Sequence, residues 1–191
     1  MIEKKDIETL FAPWLEQITD KTIREKIVRV WIEGCKRGNW NTVEKLKTMP
    51  FTLATEPQGV NFLEHTMAVT QGALQLARAQ MQNYRKLPYQ IDMDRLIAGG
   101  LLHDVGKLLE IEPDGKGAFR MSLLGKCMRH PLLGLLLAHE AGLDDKILNV
   151  IGCHAKEGEG ASQVVETILV HQADFATFNP LVMMKTGKLI Q

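Results

Sequence analysis

Apolar residues recur at helical spacing along most of this chain, and polar clusters break the pattern into segments. Helices are predicted over 5–15 and 21–36. In the second, Ile23, Ile27, Val30, Trp31 and Gly34 share one side, while Lys21, Arg24, Glu25 and Arg29 lie elsewhere, the pattern of an amphipathic surface helix. Asn39 or Asn41 offers a cap for a short helix before the irregular stretch 52–60, which carries Pro57 and Gly59. The next helix, over 62–82, puts His65, Val69, Ala73 and Leu76 on a common apolar stripe, and 83–90 with Pro88 connects onward. Period-two alternation around a Pro-Asp-Gly turn predicts a short β-hairpin around residues 109–122. Pro131 suits a first helical position with His130 at its edge, Gly142 suits a C-terminal cap, and Asp144 caps a helix ending near His154. A last apolar helix covers 163–178. The result is an all-α fold with one small hairpin.

Segment 94–110, DRLIAGGLLHDVGKLLE, stands apart because it is apolar on nearly every side of one long helix, yet carries His103 and Asp104 at its centre. Asp92 or Asp94 would cap it. An ionised carboxylate in such a setting costs roughly several kcal/mol unless a cation or a full set of hydrogen bonds compensates it. Gly99, Gly100 and Gly106 each cost about 1 kcal/mol against alanine in a helix, so something must approach the backbone closely. A metal ion answers both observations. Asp174 repeats the puzzle among Val170, Phe175 and Phe178, and one shared cation site would serve both carboxylates.

Composition narrows the functions. The 191 residues fit one domain, 1–191, with 1–60 as an N-terminal helical extension and 62–178 as the metal-binding core. Lys plus Arg equal Asp plus Glu at 23 each, so no global field draws the chain to nucleic acid or an anionic membrane. Cys35, Cys127 and Cys153 form no Cys-x-x-Cys pair and read as buried, reduced thiols. No apolar signal core opens the sequence and no apolar run reaches the roughly 18 residues of a span, so the expectation is a soluble, cytoplasmic protein.

The ordered set His65, the doublet His103-Asp104 in HDVGK, His130 in HPLLG, His154, and Asp174 in LVHQADF resembles the HD-domain superfamily of metal-dependent phosphohydrolases. The resemblance runs from about residue 62 to 178 and implies a helical bundle whose ligands project into one pocket. It implies a first divalent metal on His65, His103, Asp104 and Asp174, and a second on Asp104, His130 and His154 with Asp104 bridging. It also makes Lys107 the phosphate partner. His139 matches no ligand position, and His171 is at most an outer hydrogen-bonding partner.

Imidazole nitrogen and carboxylate oxygen together suit iron, manganese, cobalt, nickel or zinc better than magnesium. Two such ions would lower the pKa of a water toward neutrality, and the expected reaction is hydrolysis of a small phosphate ester, a nucleotide or cyclic nucleotide, by metal-activated hydroxide. The GCHAKEGEGAS run lacks the histidine pair and the Tyr-Pro of the HD-GYP subfamily, which weakens cyclic di-GMP as substrate. The alternatives are a di-iron oxygenase on the same fold and a non-catalytic HD binding or signalling domain. The first 60 residues could shield the pocket, form a homodimer contact, or complete the core.

Overall fold

The computed structural model describes residues 1–190. Ten helices occupy α1 Lys4–Leu15, α2 Lys21–Arg37, α3 Val43–Lys47, α4 Phe62–Asn83, α5 Met93–Leu102, α6 Lys107–Glu110, α7 Leu123–Cys127, α8 His130–Glu140, α9 Asp145–Cys153 and α10 Val165–Lys185. A short 3-10 turn follows α9 at Lys156–Gly158. The hairpin is present as β1 Ile111–Pro113 and β2 Phe119–Met121, paired antiparallel with Ile111 opposite Met121. Its turn is held by Asp114 Oδ1, which accepts from the backbone of Lys116 and Ala118. The fold is all-α apart from this hairpin.

Helix α4 lies along α5 and α10, while α9 packs on α5 and α8 and closes the other side. The apolar stripe of α4 is buried at Val69, Ala73 and Ala77, whereas Leu76, expected on it, is 39% exposed. Helices α1 and α2 are part of the same core: Trp31 sits between Phe11 (centroids 4.8 Å apart) and Phe62 (5.5 Å). The first 60 residues therefore complete the interior.

Several local expectations are corrected or narrowed. Thr42, not Asn39 or Asn41, caps α3; Asn39 instead takes a left-handed backbone (φ 62°) just after α2. Asp92 caps α5, and Asp94 is turned away to accept from Thr19 and Asp20 at the start of α2. His130 is the first residue of α8 and Pro131 the second. The last helix starts later than expected and runs through Pro180 to Lys185. Cys35 is buried, its thiol pushed up to about 12 by burial, but Cys127 is exposed and Cys153 half-buried.

The largest correction concerns segment 94–110. It is not one helix: α5 stops at Leu102, a tight turn covers 103–106, and α6 restarts at Lys107. The break leaves helix-end carbonyls to satisfy. His103 Nδ1 lies 2.7 Å from the Gly100 carbonyl, Trp31 Nε1 donates to Leu101 O at 3.1 Å, and Trp40 Nε1 donates to Leu108 O at 2.8 Å. The glycines do mark close approach, but protein is what approaches. A Cβ at Gly100 would meet Thr70 of α4, and one at Gly106 would fall on the His130 carbonyl oxygen, so α8 can begin directly against the turn.

Candidate metal centre

The turn 103–106 aims Asp104 into the middle of the bundle, where it is 1% exposed. Its two oxygens face different pairs of histidines. Oδ2 lies 3.4 Å from His65 Nε2 and 3.3 Å from His103 Nε2, while Oδ1 lies 3.2 Å from His130 Nε2 and 3.6 Å from His154 Nε2. Asp174 Oδ1 reaches His65 Nε2 at 3.1 Å. All six residues singled out in the sequence thus share one focus, though α4, α5, α8, α9 and α10 each contribute. Potential ligand atoms of His65, His103 and Asp104 lie within 4.8 Å of one another, and so do those of Asp104, His130 and His154.

The outer nitrogen of each ring is tied off. His103 and His154 terminate α5 and α9, and each turns Nδ1 back onto the carbonyl three residues earlier, Gly100 at 2.7 Å and Ile151 at 2.8 Å. His130 Nδ1 meets Glu110 Oε2 at 2.9 Å. His65 Nδ1 lies 3.4 Å from Thr177 Oγ1, whose own proton goes to the Asp174 carbonyl. A carbonyl or carboxylate oxygen only accepts, so Nδ1 carries the proton in those rings and the neutral imidazole presents a lone pair at Nε2. The Nε2 atoms of His65, His103 and His154, together with Asp104 Oδ1, are buried without any hydrogen-bond partner. Buried polar atoms are ordinarily paired, so a cluster of lone pairs turned inward around one carboxylate suits a cation.

The charges agree. Burial pushes Asp104 up, but the Lys107 ammonium against it holds it well below the usual carboxylate range. Burial also works against Asp174, which its contact with His65 brings down to about 2. Burial lowers His65, and its contacts with Asp104 and Asp174 outweigh that and raise it. Two carboxylates on one imidazole draw either a proton or a metal cation to the same place.

The chain shares these features with a known family. The family model for the HD domain matches residues 62–176. This chain belongs to the HD domain family. Curated relatives of this HD domain include Ribonuclease Y of Pseudothermotoga lettingae, 33% identical over 116 residues, and Ribonuclease Y of Thermotoga petrophila and of Thermotoga maritima, each 29% identical over 116 residues. The aligned part is 61% of this chain and 18% of each relative, so the chain spans under a fifth of their length. No solved structure matches it. HD domains are metal-dependent phosphohydrolases as a family, and no helix among the described residues is long and apolar enough to cross a membrane.

Above the His-Asp cluster opens a cleft of about 410 Å³, lined by Phe51, Leu53, Lys107, Met121, Lys156 and Phe178 among others, with His65, His130 and Asp174 at its floor. A larger hollow of about 580 Å³ beside Asn39 and Leu123 contains none of the six residues. Lys107 is mostly buried and bonded to Asp104 Oδ2 at 2.5 Å and to the Phe51 carbonyl at 2.7 Å. The remaining histidines lie outside the cluster: His139 is exposed on α8, and His171 Nδ1 meets the His154 carbonyl at 2.6 Å, bracing the backbone of His154.

Sequence reasoning missed two buried carboxylates. Glu110 is 4% exposed and accepts from His130 N at 2.6 Å, from His130 Nδ1, and from Arg129 Nε at 2.9 Å. Burial raises its pKa, and the contacts with His130 and Arg129 more than reverse that. Glu166 is fully buried and accepts from Asp92 N at 2.7 Å and Arg95 Nη1 at 3.3 Å. Glu110 ends the apolar HDVGKLLE run, and a charge at that place was the one available signal.

Proposed function

We propose that His65, His103, Asp104 and Asp174 hold one divalent transition-metal ion, that Asp104, His130 and His154 hold a second, and that the chain hydrolyses a small phosphate ester in the cleft above them. The observation that carries this reading is the inward set of Nε2 lone pairs around Asp104, each backed by a tied Nδ1. Nitrogen-rich donors favour iron, manganese, cobalt, nickel or zinc over magnesium. Such ions, when bound, supply Lewis acidity and lower the pKa of a water toward neutrality.

The chain's own residues do the rest. Asp104 offers one oxygen to each half of the cluster, so a single side chain would serve both sites. Lys107 has three N–H donors and spends two on Asp104 and Phe51, leaving one for a substrate oxygen at the cleft wall. There it offsets charge that builds on a phosphoryl group during displacement. Phe51 and Phe178, 6.2 Å apart and edge to face, give the cleft an apolar side for the non-phosphate part of a substrate.

A nucleotide or cyclic nucleotide fits both the cleft volume and this division into polar floor and apolar wall. The balanced net charge also speaks for a small substrate over a long polyanion. The named relatives are ribonucleases, which favours a phosphodiester among the candidates and puts short RNA in the test panel. The experiment is elemental analysis of the purified chain followed by hydrolysis assays on phosphomonoesters, phosphodiesters, nucleotides and an oligoribonucleotide. Two ions per chain and metal-dependent release of phosphate or of a phosphomonoester are expected. A protein that takes up no metal would overturn the reading, as would one holding iron that consumes oxygen with an organic substrate and leaves every ester intact.

A further inference from the structure

Among the four histidines around Asp104, only His130 has its outer nitrogen on a charged group. His103 and His154 use main-chain carbonyls of their own helices, and His65 has a hydroxyl at 3.4 Å. His130 begins α8 and has no preceding helical turn to supply a carbonyl, so its ring orientation must come from elsewhere. It comes from Glu110, twenty residues earlier, whose Oε2 takes both the His130 main-chain N–H at 2.6 Å and the ring Nδ1–H at 2.9 Å. One oxygen thus fixes both the backbone and the side chain of the same residue. Glu110 is itself held rigidly. Its carbonyl accepts from Ser122 N at 2.7 Å, its other carboxylate oxygen accepts from Arg129, and Gly125 packs so closely on it that a Cβ there would collide with Glu110 atoms.

From this geometry we infer that Glu110 is a positioning residue for the second metal: it locks the His130 ring with Nε2 toward Asp104 Oδ1 and makes that nitrogen a stronger donor. The inference rests on the two-metal reading above. A carboxylate on the far side of a ligating imidazole fixes its tautomer and raises its basicity, and loss of such a partner typically costs about 10–100-fold in metal affinity. The two halves of the cluster are then unequal. Occupancy of the His130–His154 half depends on Glu110, and occupancy of the His65–His103 half does not.

The test is titration of the metal-free full chain with cobalt(II) alone, followed by visible absorbance and elemental analysis, in the parent, Glu110→Gln, Glu110→Asp and Arg129→Ala. The glutamine keeps the shape and an oxygen for the His130 N–H while removing the charge. The aspartate keeps the charge and shortens the reach, so it serves if the glutamine variant does not fold. The parent should fill two sites. Each Glu110 variant should fill one at the parental affinity and the other about 10–100-fold more weakly, with altered absorbance for the second ion only. Arg129→Ala, which removes one of the holds on Glu110 and spares the imidazole contact, should weaken the second site clearly less than either Glu110 variant does. Two sites of parental affinity in a folded Glu110 variant would overturn the inference even if that variant unfolds more easily, because Glu110 would then only cap α8. A loss as large in Arg129→Ala as in Glu110→Gln would also overturn it, because the salt bridge and not the imidazole contact would then carry the effect. A parent that binds no cobalt would instead sink the metal reading itself.

Discussion

Asp104 and Glu166 are both carboxylates with almost no exposure in the same helical bundle, and they make opposite demands on their surroundings. Glu166, at the start of α10, meets the Asp92 main-chain N–H and the Arg95 guanidinium, so protein donors compensate its charge. Asp104 meets one ammonium and four imidazole nitrogens, with Oδ1 unpaired and three of the ring atoms around it unpaired as well. A buried carboxylate alone therefore does not call for a metal. What separates the two is whether the groups facing it can donate. Around Glu166 they are N–H groups; around Asp104 most are lone pairs.

The sharpest way to break this contrast is to remove both acids in turn. Asp104→Ala should abolish metal retention and phosphoester hydrolysis together, because each half of the cluster loses its common ligand. A metal-stripped, refolded Asp104→Ala protein with full activity would contradict the assignment. Glu166→Ala should leave the ions per chain unchanged but destabilise the metal-free protein by about 2 kcal/mol, the scale for leaving buried donors without their acceptor, since Arg95 keeps its pairing with Asp92. Urea unfolding and elemental analysis read the two effects separately. Metal loss from a folded Glu166 variant would show that the two acids are not distinct in kind.

The same contrast explains what the sequence could and could not disclose. The ordered histidines and aspartates were legible because few residue types could hold a metal, and all six do converge. The bundle and hairpin were legible from periodicity. The break after Leu102 was not, since an unbroken apolar pattern hides where main-chain bonds stop. The turn exists because Trp31 and Trp40, more than sixty residues upstream, donate to carbonyls on either side of it. Glu110 and Glu166 escaped for a related reason: a charge beside a helix end looks solvated until its partners, here the start of α8 and the first turn of α5, fold against it. Asp94 was an evident capping candidate, but tertiary contact with Thr19 decided otherwise.

Lys107 tests the contrast from the donor side, as the one full N–H donor that Asp104 has. If its ammonium serves the transferring phosphoryl group, Lys107→Ala should lower turnover about 100-fold, a typical loss for one preorganised electrostatic donor. Metal content should be unchanged, since an alanine leaves every Nε2 in place and removes a competing cation from Asp104. Steady-state kinetics with measured metal stoichiometry decides the matter. Unchanged turnover would return Lys107 to a structural tie between Asp104 and the Phe51 carbonyl.

The smallest effect belongs to a third acid, Asp94, which resembles Glu166 in being met by protein donors but is only half-buried. Thr19 N, Thr19 Oγ1 and Asp20 N all donate to it, at 2.7–3.0 Å. Burial raises its pKa, and these donors together outweigh that and lower it below the ordinary 3.8. A depressed folded-state value means the ionised form is the one the fold stabilises. Its contribution is complete above about pH 4 and disappears as pH falls through the depressed value. Asp94→Asn keeps an acceptor and loses the charge, so at neutral pH it should cost about 1 kcal/mol, discounted for solvent exposure. That difference from the parent should shrink toward zero in acid. Urea unfolding of both metal-free proteins at neutral pH and near pH 3 measures it, and an equal difference at the two values would show that Asp94 holds α2 to α5 by shape rather than by charge.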